Sequence, residues 1–392
     1  MKKGLKNVAV LILLFGGPLI MDFILGLSAF YCNLRTVDLA PPRFQCLVGV
    51  AWSLGYIITA HLAGRWCTPK RAASFMVASL LAAVVIVCTI LLREPNYYFF
   101  LAANTCLGLA TGLYFAPFQV KMGHVHPFHS MATVVAVYNV SWGTGLSFGA
   151  MGSGWIMDLQ GFRWIACSVV SGLVVFHLLL LATIRGQVLG ADEKEEEITS
   201  AFASTRLLRL CGWIGIFVAF VLLNSVIVTL WPNLGKECGL SNARIGVGAF
   251  MVSFQLPLFA LVWARLSKWM CKPAMLIALL AMAGIGYLLL PLFNVLLWQY
   301  AMLAILGIGI SGAIFHSVYY SNIDPSSRER SLGINETVVG CACLVGPVVM
   351  GWLAWDSGAS WRPYIAGCAI AMAACVALVV LWKSGAGLAE ES

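Results

Sequence analysis

Apolar and polar positions along this chain are segregated into long blocks: runs of about twenty apolar residues separated by short polar turns. A helix needs about 20 apolar residues to cross about 30 Å of hydrocarbon. Twelve stretches meet that length, at about 8–31, 42–64, 73–92, 97–118, 131–155, 164–184, 211–231, 244–266, 274–293, 298–320, 331–355 and 361–382. The pattern predicts an all-α polytopic membrane protein. The first run, from Val8 to about Tyr31, exceeds the roughly 7 to 15 apolar residues of a secretory signal, and no small-x-small cleavage site follows it. It is expected to remain as the first span. Between the sixth and seventh spans lies one long polar segment, Arg185 to about Leu210, with the run Ala191-Asp-Glu-Lys-Glu-Glu-Glu197. It is expected to be a solvated cytoplasmic linker, with or without a short surface helix. The chain then divides into six-helix bundles at 1–184 and 211–392 around a linker at 185–210.

Composition agrees: 61% of the residues are apolar and 10% charged, where a soluble domain carries about 25% charged residues. A net charge of +8 would point a soluble protein toward nucleic acid, but here the basic residues sit at the ends of apolar runs and act as topology signals. With the N-terminus inside, 17 of the 24 Lys and Arg residues fall on the inner side. Both termini are therefore expected in the cytoplasm, with the chain in the plasma (inner) membrane. No Lys or Arg is stranded at mid-membrane, where each would cost about 2.5 to 3.5 kcal/mol. The 13 cysteines are scattered singly through apolar runs, which suggests reduced, packed thiols and neither a disulfide framework nor a zinc site.

The two halves repeat one another. The glycine-lined stretch Asn139 to Asp158 returns 197 residues on, where Gly143, Gly149, Gly154 and Trp155 correspond to Gly340, Gly346, Gly351 and Trp352. Gly108 and Gly307 are 199 apart, as are Arg163 and Arg362, and the basic loop after span two has a loose counterpart after span eight. Two parallel copies of a six-helix unit account for these matches.

Twelve spans, two six-helix repeats, a long inner linker and glycine-rich spans five and eleven resemble the major facilitator superfamily of secondary transporters. The resemblance implies alternating access around a central cavity lined mostly by spans one, four, seven and ten. Two features depart from the family. Its loop after span two typically reads Gly-x-x-x-Asp-Arg-x-Gly-Arg-Arg; here Gly64-Arg65-Trp-Cys-Thr-Pro69-Lys70-Arg71 keeps basic residues, Arg65 among them, but lacks the acid that helps latch the inner gate. The family's proton-driven drug exporters carry Gly-Pro in span five. Here Ala150 stands in place of that proline, while span eleven has Gly346-Pro347, which disfavours that subclass.

Helix association in lipid lacks a hydrophobic driving force, so small residues that let backbones approach supply the packing. Gly143, Gly149, Gly154, Gly340, Gly346 and Gly351 are expected to form matching seams within each half, either static or sliding. Acids within the membrane are the next signal, because burial disfavours their charged form. Asp22 lies deep in span one, with Asn224 of span seven 202 residues on; it is a candidate proton site, or a tethering acid should the span end early. Glu336 stands in span eleven where Asn139 stands in span five, and could face the cavity or latch onto Arg328 or Arg330. Asn104, Gln119, Gln255 and His316, with Trp142 and Tyr138, complete the candidates for contact with substrate or coupling ion. Each alone is as well explained by an interhelical hydrogen bond. His124, His126 and His129 in an inner loop, and Cys341-x-Cys343 inside span eleven, carry no metal reading.

No phosphate loop, nucleophile elbow or zinc-protease helix is present in the sequence. ATP hydrolysis by this chain and other catalysis are thus disfavoured, and no cofactor is implied. The expected function is secondary transport of a small organic solute, neutral or weakly cationic because no Lys or Arg lies at depth, driven by a solute or proton gradient. The alternative is a transport-inactive solute sensor or assembly partner with the same fold, which the missing loop acid would favour. The expected partners are the substrate, the lipid bilayer and protons, with no nucleic acid, and the chain is expected to be a monomer.

Overall fold

The computed structural model describes residues 2–67, 71–124, 130–159, 161–184, 205–266, 272–324, 328–355 and 357–390. The first half is built from α1 (Lys2–Val37), α2 (Pro42–Trp66), α3 (Ala72–Leu92), α4 (Tyr97–His124), α5 (Met131–Asp158) and α6 (Phe162–Ile184). In the second half, α7 (Thr205–Ser225), a π-helical turn (Val226–Leu230) and α8 (Trp231–Glu237) form one continuous span. Then follow α9 (Asn242–Ser253) and α10 (Gln255–Arg265), one span broken at Phe254, and α11 (Pro273–Leu289), α12 (Leu296–Asn322), α13 (Arg328–Ala354) and α14 (Trp361–Glu390).

Among the described residues, nine helical stretches are long and apolar enough to cross a membrane, and two shorter apolar stretches, Arg163–Leu179 and Ala274–Leu289, mark α6 and α11. Helix α5 falls outside both groups. Glycine, serine and threonine recur along it and Leu146 is its one leucine, and most of it is buried. It passes as a span because helices cover it. Together these elements make the twelve spans in two bundles that the sequence predicts. The observed helices overrun the predicted limits where polar residues still find partners: α1 continues to Val37, and the seventh span runs to Glu237 rather than 231. Of the predicted linker, 185–204 lies outside the described residues, and 205–210 is already the first turn of α7.

The internal repeat is visible in the packing. Helices α1 on α5, α2 on α4, α3 on α4 and α3 on α6 are matched in the second half by α7 on α13, α9 and α10 on α12, α11 on α12, and α11 on α14. The halves meet along two lines, α5 on α9 and α10, and α2 on α13. Here the glycine stretch departs from expectation. Of its three repeated glycines, only the middle one seals its own half: a Cβ at Gly149 would run into the Phe23 carbonyl of α1, and one at Gly346 into the Val221 carbonyl of α7. The flanking members face the other half. Gly143 meets Pro257 and Gly154 meets Asn242, while Gly340 meets Ile57 and Gly351 meets Cys46 and Pro42. The reason is helical geometry, since positions 143 and 154 are three turns apart on one face and 149 lies on the opposite face. The seams are thus shared between the halves, as well as within them.

Candidate functional site

Between the halves lies a cavity of about 140 Å³, walled by α1, α2, α4, α5, α7 with its π turn, α12 and α13. That is roughly ten times the space that houses one water. Its wall is mostly aromatic and aliphatic, with Phe30, Trp52, Tyr56, Phe115, Tyr138 and Trp142 among the liners. Two carboxylates enter it, Asp22 from the first half and Glu336 from the second, and the lining contains no Lys, Arg or His among the described residues.

The two acids are held differently. Glu336, 5% exposed, accepts the Tyr56 hydroxyl on Oε2 and the Gln119 side-chain amide on Oε1 at 2.5 Å. The same Gln119 nitrogen donates to Tyr138 Oη at 3.2 Å. Tyr56 and Gln119 come from α2 and α4, so one carboxylate of the second half is gripped by two donors of the first. This is the cavity-facing arrangement; the grip comes from neutral donors rather than from Arg328 or Arg330. Asp22, 4% exposed, has an Oδ2 with no hydrogen-bond partner among the described residues. Both acids line the same cavity. Two like charges in an apolar cavity disfavour each other, and a proton or a cation on one relieves both.

The structure sorts the predicted liners by helical face. Asp22, Asn104, Gln119, Trp142, Asn224 and Glu336 are brought together around the cavity. Asn224 donates to Cys343 Sγ at 3.0 Å, and Asn104 returns its amide to the Phe100 carbonyl at 2.9 Å. Three predicted residues are elsewhere. His316 is fully buried with Nδ1 at 2.6 Å from the Gly312 carbonyl; Ile314 and Val318 line the cavity, and a residue midway between them points about 160° away. Asn139 accepts the Trp142 indole N–H at 2.8 Å, orienting a liner without being one. Gln255 sits where the eighth span breaks, donating to the Met251 carbonyl at 3.0 Å and packing on Gly307. The side chain of Arg65, the loop 68–70 and the loop 125–129 with His126 and His129 lie outside the described residues.

Sequence reasoning missed Tyr56 and Cys343. An aromatic in an apolar run is indistinguishable by pattern from a packing residue, and Cys343 read as a small filler. It also missed the residues that close one end. Where α7 becomes a π turn, its carbonyls lose their regular partners and face the first half. Asn33 donates to the Ile227 carbonyl at 3.4 Å and Gln45 to the Val228 carbonyl at 3.1 Å, while Asn233 donates to Gln45 Oε1. Further out, Lys236 lies 3.7 Å from Asp38. Asp158 meets the start of α9, accepting from Asn242 Nδ2 at 2.8 Å and from the Ala243 N–H at 2.9 Å. At the position equivalent to Asp158, Trp355 receives the Arg43 guanidinium 4.3 Å over its ring and its backbone N–H at 3.4 Å. Trp355 holds a left-handed φ of 55°, a strained state for a bulky residue. All these contacts cross between the halves at the end opposite the chain termini. That end is closed.

The comparisons with known proteins agree with this architecture. Two solved structures superpose over nearly the whole chain. The human organic anion transporter MFSD10 (TETRAN) has a TM-score of 0.65 at 14% identity, covering 95% of this chain and 99% of its own. A bacterial homolog of the human lysosomal transporter Spinster, in an inward-facing and occupied conformation, has a TM-score of 0.66 at 11% identity, covering 96% of each chain. No curated protein matches the sequence. The profile of the Major Facilitator Superfamily matches residues 12–324 and, over the second half, 212–390. The chain is thus a multi-pass membrane transport protein belonging to the Major Facilitator Superfamily.

Proposed function

We propose that the protein is a secondary active transporter that moves a small organic solute by alternating access, with Asp22 as its proton-binding group. The observation that carries this reading is the unpaired Asp22 Oδ2, buried in a cavity between two bundles that short polar contacts join at the end opposite the termini. In a rocking cycle, the glycine-lined crossings of α5 on α10 and α2 on α13 are the surfaces that slide. Glu336, gripped across the halves by Tyr56 and Gln119, must exchange those partners when the cavity opens to the other side. Proton arrival at Asp22 and solute arrival beside it then change the same electrostatic balance.

The lining supports a neutral or weakly cationic solute. Two acids and no base among the described liners repel a carboxylate, and the aromatic walls suit an apolar body bearing an amine. MFSD10 is named an organic anion transporter, so fold does not carry cargo here. The basic residues are distributed as for cytoplasmic termini, which supports a cytoplasmic opening and a plasma-membrane location.

The test is purified protein in liposomes with a trapped pH-sensitive dye, an imposed pH gradient, and a panel of amines, neutral solutes and carboxylates. The expected result is proton flux driven by an amine or neutral solute and lost in Asp22→Asn. Unchanged flux in Asp22→Asn would remove Asp22 from coupling, and no flux with any solute class would overturn the transport reading.

A further inference from the structure

Two aromatic pairs of the first half converge on the Glu336 carboxylate of the second. On α2, Trp52 and Tyr56 stand four residues apart, about one helical turn, and their rings stack at 4.9 Å between centroids with 21° between planes. On α5 the order is reversed: Tyr138 precedes Trp142 by four residues, and the rings lie 6.3 Å apart at 44°. The two phenols reach the same group. Tyr56 Oη donates to Glu336 Oε2, and Gln119 Nε2 lies 2.5 Å from Glu336 Oε1 and 3.2 Å from Tyr138 Oη. Trp142 is held in turn, its indole N–H donating to Asn139 Oδ1 at 2.8 Å. Trp52, Tyr56, Gln119, Tyr138, Trp142 and Glu336 all line the cavity.

The chemistry of this belt is one-sided. Both oxygens of Glu336 accept, which is the bonding of an ionised carboxylate, and their partners are neutral donors that fix the charge in place without cancelling it. A buried charge ordinarily has a counter-charge, yet the described lining residues include no Lys, Arg or His. Among the described residues no three metal-ligating side chains form a cluster. Four aromatic side chains beside an uncompensated carboxylate suit an organic cation. Hydrogen-bonding capacity narrows the class. Each Glu336 oxygen is already engaged, and Gln119 Oε1 is a belt acceptor without a partner. A primary ammonium brings three N–H groups that must leave water. A tertiary ammonium brings a single one and a quaternary ammonium none, and the positive charge then faces outward through methyl groups, the form that aromatic cages bind.

We infer that this belt is a cage for the N-methylated ammonium head, tertiary or quaternary, of the transported solute. Glu336 supplies the opposing charge, and Trp52 and Trp142 supply the ring surfaces. The inference rests on the transport reading and narrows its solute, leaving Asp22 to the proton. The cage discriminates against primary amines and against neutral bodies of the same shape.

The test is equilibrium binding to the purified full chain in lipid nanodiscs, which needs no transport. The probe is tritiated phenethyltrimethylammonium, competed by its dimethylammonium and primary ammonium analogues and by the neutral isostere in which carbon replaces the nitrogen. Both methylated heads are expected to bind at least about tenfold tighter than the primary ammonium and the isostere, within what cation–π contacts in a desolvated site supply. Trp142→Leu should reduce the preference for the methylated head over the isostere about tenfold, and Trp142→Phe by less, because indole is the better cation–π partner. Glu336→Gln should also remove most of the preference, with Trp52→Leu in its place should that variant not fold. Each preference is a ratio within one variant, so a fraction of unfolded protein does not move it. No binding of the probe, a primary ammonium or isostere that binds as tightly, or a preference unmoved by these substitutions would overturn the cage. Proton flux in liposomes driven by primary amines or neutral solutes but not by methylated heads retires the cage and leaves the transport reading. Selective binding of methylated heads with no flux for any solute retires the transport reading and leaves the cage.

Discussion

The two halves share a skeleton and divide the chemistry. Gly149 and Gly346 each press on a carbonyl of the first helix of their own half, and the flanking glycines cross to the other half at corresponding places. The polar residues obey no such rule. Asp22 corresponds to Asn224 and Glu336 to Asn139, so each half has one acid where the other has an amide, on different helices. The acids also differ in company: Glu336 is gripped by two donors from the opposite half, whereas Asp22 Oδ2 has none. What the repeat preserves is close backbone approach, which tolerates no substituent. What it leaves free is the cavity wall, where the symmetry is broken and a charge can be gained or lost on one side only.

The largest expected effect tests the shared part. Gly149→Val and Gly346→Val should each destabilise the fold by about 3 kcal/mol or more, the upper end for overpacking, because each adds atoms against a backbone carbonyl that cannot move aside. Loss of monodisperse protein in both, with Gly333→Ala unaffected because nothing lies within 4 Å of its added carbon, would support equal roles. Loss in one half only would break the symmetry of the packing.

The next effect separates the acids. Glu336→Gln leaves an amide nitrogen facing a donor and forfeits hydrogen bonds to a charged group, each worth about 1.5 to 3 kcal/mol. A drop in melting temperature is expected. Asp22→Asn removes a carboxylate with an unpaired oxygen and should leave melting unchanged or raised while stopping proton-coupled flux. Equal destabilisation by both substitutions would mean that Asp22 is held by partners after all. The smallest effect is at the latch. Asp158→Ala removes two hydrogen bonds that α9 makes to the other half, while Ser241 still caps the helix, a loss of about 1 kcal/mol, so maleimide labelling of a cysteine placed at Asn33 should speed up about fivefold. An unchanged rate would show that the Asp158 contacts do not hold this end shut.

Much of this architecture is legible from hydropathy and from the placement of Lys and Arg, because the bilayer imposes span length and penalises stranded charge. Helix α5 is the instructive element. Its apolar run at 131–155 is diluted by glycine and serine, and its repeat in α13 supports the assignment. The acids of the site are legible because charge inside a membrane is rare enough to carry meaning. Their partners are not. Tyr56 differs in no sequence pattern from a packing aromatic, and the inclusion of Asn224 and exclusion of His316 turn on rotations of about 100° per residue that boundary errors of two or three residues erase. The latch at Asn33 and Gln45 depends on a π turn in α7, which leaves no trace in apolar composition.

The central claim, that the end closed by Asp158 and Asn242 must open for transport, is tested most directly by tying it shut. In a protein whose 13 native cysteines are replaced, the pair Asp158→Cys and Asn242→Cys is oxidised to a disulfide and assayed for solute-driven proton flux in liposomes. Alternating access requires that flux stop on oxidation and return on reduction. Flux that continues undiminished through the oxidised protein would contradict the account.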